Sequence, residues 1–316
     1  FNVTDSGPDL LRAARDGVQL RCADGHIRDC FPIIGGFIAD YEEQVLITGV
    51  KSGQHCVICQ VHPDKRGNLI PLETSLLRTH EYTRRCIQAA RARSQKRKRR
   101  SEVLKNDEDD FEDTISAMQV DDVVSFMWHH HHSNMHELMH VDILHQLFKG
   151  IVHRALNDWI RPALVKIEGE KQADVLLNER FEVIPHFQSL KTFANFTGIT
   201  QWTGVEQKAL LRQLVPALAP LLSQAMIQFL RALVDFTLHA QYYSHDSDTL
   251  SWMEAALRRM DLLKDAFRDY TATDNGFNIP KFHAMTHYPM MIRKFGSADG
   301  YCSSMFEAGH KYMVKE

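Results

Sequence analysis

Three groups of residues in this chain of 316 have types and spacings suited to chemistry. The first is Asp40, which ends the apolar run Pro32-Ile33-Ile34-Gly35-Gly36-Phe37-Ile38-Ala39 and precedes the charged segment Tyr41-Glu42-Glu43. A buried strand that stops on an acidic side chain delivers a carboxylate to the rim of a sheet, where α/β folds hold their ligands. The plainer reading of Asp40 is a turn former at a strand end. The second group is Cys56-Val57-Ile58-Cys59, whose two thiols have metal-type spacing. The third is His283-x-x-x-His287, one helical turn apart and followed by Glu307. We expect these three sites, scattered in sequence, to converge in space. Two thiolates and two imidazoles make a closed tetrahedral set for Zn²⁺; the alternative is a pair of buried thiols and two core histidines.

Other stretches carry weaker signals. Asp142-Ile143-Leu144-His145-Gln146-Leu147-Phe148-Lys149-Gly150 is amphipathic, with Asp142 and His145 on one helical face and Gly150 at the expected end. Arg91 to Arg100 holds seven basic residues, ending Lys96-Arg97-Lys98-Arg99-Arg100, and Asp107 to Asp113 holds six acidic ones. Such blocks are solvated and flexible as a rule, but the basic one also has the composition of a nuclear import signal or a DNA-backbone contact. His129 to His132 cannot all face one metal from a regular element, so a surface loop is expected there.

Composition bounds the class. Apolar residues make up 44% and charged residues 24%, ordinary for a globular protein. No apolar run reaches the length of about 18 residues that a membrane helix requires. The six cysteines form no dense framework, which leaves the C-x-x-C pair free for metal. Net charge is only −3, so any affinity for nucleic acid must come from where the charge lies, not from its total. The N-terminus, Phe1-Asn2-Val3-Thr4-Asp5, reads as the middle of a longer protein.

The elements that must position these groups follow from periodicity. Residues 8–16 read as a helix closed by Gly17, and 18–22 and 27–31 as short strands joined at Ala23-Asp24-Gly25. The Asp40 strand follows, and Val45 to Val50 is a further β-branched run. From 151 to 275 apolar residues recur at three-to-four spacing, as in Leu210-Leu211-x-x-Leu214-Val215, with Pro216 and Pro220 as breakers. These stripes read as helix-bundle core. The α/β character returns near Ile279-Pro280-Lys281, before a helix carrying the His pair, and Gly296-Ser297-Ala298-Asp299-Gly300 leads into the helix of Glu307.

Taken together and in order, the motifs resemble the Plavaka transposases, CACTA-related cut-and-paste elements of fungi. The blocks that carry the resemblance are Cys30 to Leu46, the C-x-x-C, Asp142 to Gly150, Gln201-Trp202-Thr203-Gly204-x-Glu206-x-Lys208, Pro280-Lys281-x-His283-x-x-x-His287-Tyr288, and Gly296 to Tyr301 with Glu307-x-x-His310. The resemblance implies a DDE-type enzyme that cleaves and joins DNA at transposon terminal inverted repeats and target DNA in the nucleus, with a homo-oligomer as a further partner. It implies an α/β RNase H-like core, incomplete at its N-terminus, interrupted by a mainly helical insertion. The expected divisions are 1–62 for the first core part, 63–125 for a charged flexible insert and 126–150 for a core strand and helix. The helical insertion is then 151–275, and 276–316 the last core segment.

Residue by residue, Asp40 matches the family's second catalytic aspartate and Glu307 its glutamate, together ligands for two Mg²⁺ ions. The first aspartate has no match in this chain. The Cys56, Cys59, His283 and His287 set is similar to one in the V(D)J recombinase and the Transib transposases. Asp142-x-x-His145 resembles a motif of several transposase superfamilies, including hAT, in which the histidine lies near the active site; a helix-capping Asp with a structural His is the alternative. Lys96 to Arg100 are the expected DNA contacts. The competing function is a catalytically inactive or domesticated DNA-binding protein of transposon origin.

Overall fold

The computed structural model describes residues 7–53, 55–69, 77–100, 130, 133–271, 276–304, 307 and 309. The chain divides into two compact units, Phe1–Gln60 with Ser75–His140, and Val61–Thr74 with Val141–Glu316. The fold is mixed α/β and mostly helical, and its strands, among the described residues, form one two-stranded sheet. No described helix is long and apolar enough to cross a membrane.

In the first unit, helix α1 (Gly7–Asp16) ends at Gly17, whose φ of 79° suits a residue without Cβ. Strands β1 (Val18–Arg21) and β2 (Ile27–Cys30) then pair antiparallel, from Val18 opposite Cys30 to Arg21 opposite Ile27. Both follow the sequence expectation to within one residue.

The expected Asp40 strand does not form. Residues 31–40 run without regular pairing except at Phe37, which bridges Met139 in parallel and donates its N–H to the Leu138 carbonyl at 2.9 Å. Pro32 lacks a donor, and Gly36 lies against the His140 ring, where a side chain has no room. Val45 to Val50 is likewise not a strand: helix α2 (Tyr41–Thr48) covers most of it, capped by Asp40 and closed by Gly49 at φ 66°.

Helix α3 (His80–Arg100) occupies the middle of what composition marked as flexible insert, and Lys96 to Arg100 form its end. Their side chains, and the whole acidic block 107–113, lie outside the described residues. So do Val123 to Trp128 and three of the four consecutive histidines; His130 is buried, unlike the residue of a surface loop. Ile87 of α3 packs with Met135 and Leu138 of α4 (Met135–Leu138), and Ile34, Phe37 and Ile47 close over them.

In the second unit, α5 (Ile143–Val152) and α6 (Ala155–Ile160) are π-helical and run on into α7 (Arg161–Glu168). Gly150 does not end this helix. A Cβ there would meet the His145 carbonyl oxygen at 2.7 Å and Lys281 Cδ at 2.9 Å, so the position needs glycine for close approach within the helix. After α8 (Glu170–Glu182) come α9 (Gly204–Leu218), α10 (Gln224–Ala240) and α11 (Ser247–Leu263), the bundle that the apolar stripes indicated. Pro216 does not break α9; it sits inside it near the end, and the helix stops two residues later. Trp159 is the centre of the core, with ring centroids 4.6 Å from Phe277, 5.7 Å from Phe229 and 5.9 Å from Phe282. Residues 61–69 belong to this unit, where Gly67 N donates to Asn278 and Leu69 N to Asp261. No strand forms at Ile279 to Lys281; helix α12 (Pro280–Ala284) starts there with proline in its first turn, and a short 3₁₀ turn leads to α13 (Tyr288–Phe295).

Candidate functional site

The C-x-x-C pair sits in a tight knuckle. Cys56 Sγ accepts the Ile58 N–H at 3.4 Å, and Cys59 bridges Leu77 in antiparallel fashion. Four successive carbonyls of the knuckle are each taken by a donor. Arg78 Nε donates to the Cys56 and Cys59 carbonyls at 2.8 and 3.0 Å, and Arg78 N to that of Ile58 at 2.9 Å. His136 Nδ1 lies 2.7 Å from the Val57 carbonyl and its Nε2 lies 2.8 Å from Thr83 Oγ1. Burial, the largest influence, pushes the His136 imidazole down to about 3, so the ring is neutral and its proton sits on Nδ1 facing the carbonyl. Arg78, only 1% exposed, and His136, wholly buried, were not singled out from sequence; neither has a spacing that marks it.

His283 closes the first turn and a half of α12, and His287 ends the 3₁₀ turn after it, with ring centroids 5.0 Å apart and nearly perpendicular. Cys56 and Cys59 in the first unit and His283 and His287 in the second are all buried. Two soft thiolates and two imidazoles are the donors Zn²⁺ takes in closed structural sites, so the residues fit this metal.

A second cluster forms around Asp142, at the head of α5. Its carboxylate, 1% exposed, accepts five hydrogen bonds. Leu144 N and Ser303 N donate to Oδ1 at 3.2 and 3.1 Å. His145 N, His145 Nδ1 and Ser303 Oγ meet Oδ2 at 3.1, 2.6 and 2.7 Å. The other ring nitrogen of His145 lies 2.8 Å from Glu307 Oε1, and Lys149 Nζ lies 2.9 and 3.2 Å from the two Glu307 oxygens. An imidazole with a carboxylate on each nitrogen donates from both, so His145 is an imidazolium here. The Asp142 hydrogen bond, ahead of an opposing effect of burial, holds its pKa above the ordinary value. Burial by itself would raise the Asp142 carboxyl, but hydrogen bonds from His145 and Ser303 outweigh it and hold the group low.

Sequence reasoning paired Asp142 with His145 and named Glu307; the structure brings all three together. It missed Ser303 and Lys149. Lys149 had a signal, since it lies four residues after His145 on one helical face. Ser303 had none beyond its nearness to Glu307. Asp40 is the N-cap of α2, its side chain accepting the Glu43 N–H at 2.9 Å.

Residues 8–160 match the family model of the Plavaka transposase. The match covers just under half of the chain. Within it fall Asp40, Cys56, Cys59, the basic end of α3, Asp142 and His145, while His283, His287 and Glu307 lie beyond its end. A transposase function is what the Plavaka match suggests, and with it binding to DNA. No curated protein matches the chain.

Proposed function

We propose that this chain is catalytic region of a DDE-type DNA transposase, cutting and joining DNA at transposon ends, with an RNase H-like arrangement around its carboxylates. The observation that carries the reading is the Plavaka match over residues 8–160, which spans Asp40 and the Asp142-x-x-His145 pair. Asp40 and Glu307 are hard oxygen donors of the kind Mg²⁺ takes, and Glu307 keeps 47% of its side chain exposed. Two Mg²⁺ ions, when bound, supply activation of the attacking water or 3′-hydroxyl and stabilisation of the leaving oxygen. The first aspartate of the triad is proposed to come from outside these residues.

The chain's own groups would act on the phosphodiester directly. His145, fixed in position and protonation by Asp142, directs its second N–H at Glu307 Oε1, 2.8 Å away, and would donate to a non-bridging phosphate oxygen only in place of that carboxylate. Lys149 adds a second positive charge at the same place, lowering the cost of a dianionic transition state. The closed zinc set would have no part in the reaction and would hold the fold. Lys96 to Arg100 are proposed to carry nuclear import and to contact the DNA backbone.

One observation favours a second reading, a non-catalytic DNA-binding protein: both Glu307 oxygens are held by Lys149 and one also by His145. A nicking assay on element ends with Mg²⁺ separates the two, run on this chain and on a version extended to supply the proposed first aspartate. Cleavage that Asp40→Ala and Glu307→Ala each abolish, with DNA binding kept, supports the enzyme. Binding without any cleavage supports the second reading, and cleavage undiminished in either variant removes these residues from the active site.

A further inference from the structure

Beside Glu307 the second unit opens a cleft of about 470 Å³. Leu144 and Lys149 of α5 line one side and Glu307 lies at the edge, while Trp202, Gly204 and Lys208 line the other side. The indole is half-buried and held by two aromatic neighbours, Phe193 at 5.5 Å and Phe196 at 5.3 Å between centroids. It is therefore a fixed plate and not a mobile surface side chain. Gly204 lets the first turn of α9 come down on α5, because a Cβ there would meet Leu144 Cδ1 at 2.9 Å. Lys208 reaches across the same wall, its ammonium 5.4 Å from the Phe148 ring centroid.

The lining combines an indole with two ammonium groups, against one carboxylate already paired with Lys149 and His145. An apolar ligand would not need the cations, and a simple anion would not need the indole. A nucleotide presents both a π-face and a negative charge. Glu307 is part of the lining and His145 lies 2.8 Å from it, so a strand with its phosphate beside these two has its neighbouring base within reach of the cleft. A base paired in a duplex cannot enter a walled cleft without leaving its stack.

We infer that this cleft is a subsite for one unpaired nucleotide of a DNA strand, its base stacked on Trp202 and its phosphate drawn by Lys149 and Lys208. The inference rests on the transposase reading in taking DNA as the ligand, yet its test involves no cleavage. Binding is measured by fluorescence anisotropy without added divalent cation, using a labelled dT20 strand and a blunt duplex of the same length. Trp202→Ala should weaken single-strand binding roughly 5- to 150-fold, the range of one lost base–aromatic stack. Trp202→Phe should restore most of it, and Lys208→Ala should weaken it with a shallower salt slope. Duplex binding should change little in all three. Because Trp202 also packs on Phe193 and Phe196, the exposed Lys208 variant keeps the test open if the alanine variant unfolds. Single-strand binding unchanged in Trp202→Ala or Lys208→Ala, or equal losses on strand and duplex, would overturn the subsite. Loss of cleavage alone would instead count against the enzyme reading and leave the subsite standing.

Discussion

Asp142→Asn changes one atom and should be among the most damaging substitutions in the second unit. Each carboxylate oxygen of Asp142 accepts a backbone N–H, from Ser303 and Leu144 on Oδ1 and from His145 on Oδ2. An amide can turn its oxygen to only one side, so its NH₂ must face either the two backbone donors of Ser303 and Leu144 or the His145 backbone N–H together with the His145 ring and the Ser303 hydroxyl. The imidazolium of His145 also loses its buried counter-charge. A hydrogen bond to a charged group contributes about 1.5–3 kcal/mol, and breaking a buried pair costs about 3–5 kcal/mol, so a loss of about 3 kcal/mol is expected.

The pH dependence gives an independent reading of the same pair. The folded pKa of His145 is raised above 6.5, so its contribution is full below 6.5 and fades as pH rises through the folded value. The folded pKa of Asp142 is lowered below 3.8, so its contribution is present above 3.8 and is lost as pH falls through the folded value. Urea denaturation between pH 5 and 9 should show wild-type stability falling on the alkaline side, and Asp142→Asn should flatten that fall. A variant within about 0.5 kcal/mol of wild type, with the same alkaline slope, would refute the imidazolium assignment.

Other substitutions probe the remaining parts. Elemental analysis should find about one zinc per chain; Cys56→Ser or His287→Ala should lose it and lower the melting temperature, while Glu307→Ala should retain it. Arg78→Met removes the donor shared by the Cys56 and Cys59 carbonyls and should cost about 1–3 kcal/mol per carbonyl left bare. Cobalt substituted for zinc should then show a weakened or shifted d–d spectrum, whereas an unchanged spectrum and melting point would remove Arg78 from any role at the knuckle. Replacing Lys96 to Arg100 by alanine should reduce nuclear accumulation and the salt slope of DNA binding, and no change in either would leave that segment a solvated helix end.

Much of the site was legible because its signals are local. A C-x-x-C pair, two histidines four apart and an Asp three residues before a His each state a local geometry that spacing alone reveals. The Asp40 segment was misread because an apolar run cannot distinguish a strand from an extended stretch leading into a helix. The deciding signals were nearby: Asp40 with Glu43 three residues on fits a helix start, and Gly49 fits its end. The β-branched Val45 and Ile47 outweighed them in the sequence reading, although buried contacts override propensity. Gly150 was taken for a helix end because sequence shows only that a glycine is present, not which atoms crowd its α-carbon. Arg78, His136 and Ser303 act through long-range hydrogen bonds to backbone and carboxylate, which no periodicity announces.

The central proposal, that Asp40 and Glu307 contribute to one metal centre for cleavage, is tested most directly by replacing Mg²⁺ with Fe²⁺. With ascorbate and peroxide, hydroxyl radicals released at the bound iron cut the nearest polypeptide backbone. The account predicts cuts near residue 40 and near residue 307 in the same sample, both suppressed by excess Mg²⁺ and both lost in either Asp40→Ala or Glu307→Ala. Cuts near only one of the two, or cuts that survive both substitutions, would contradict it.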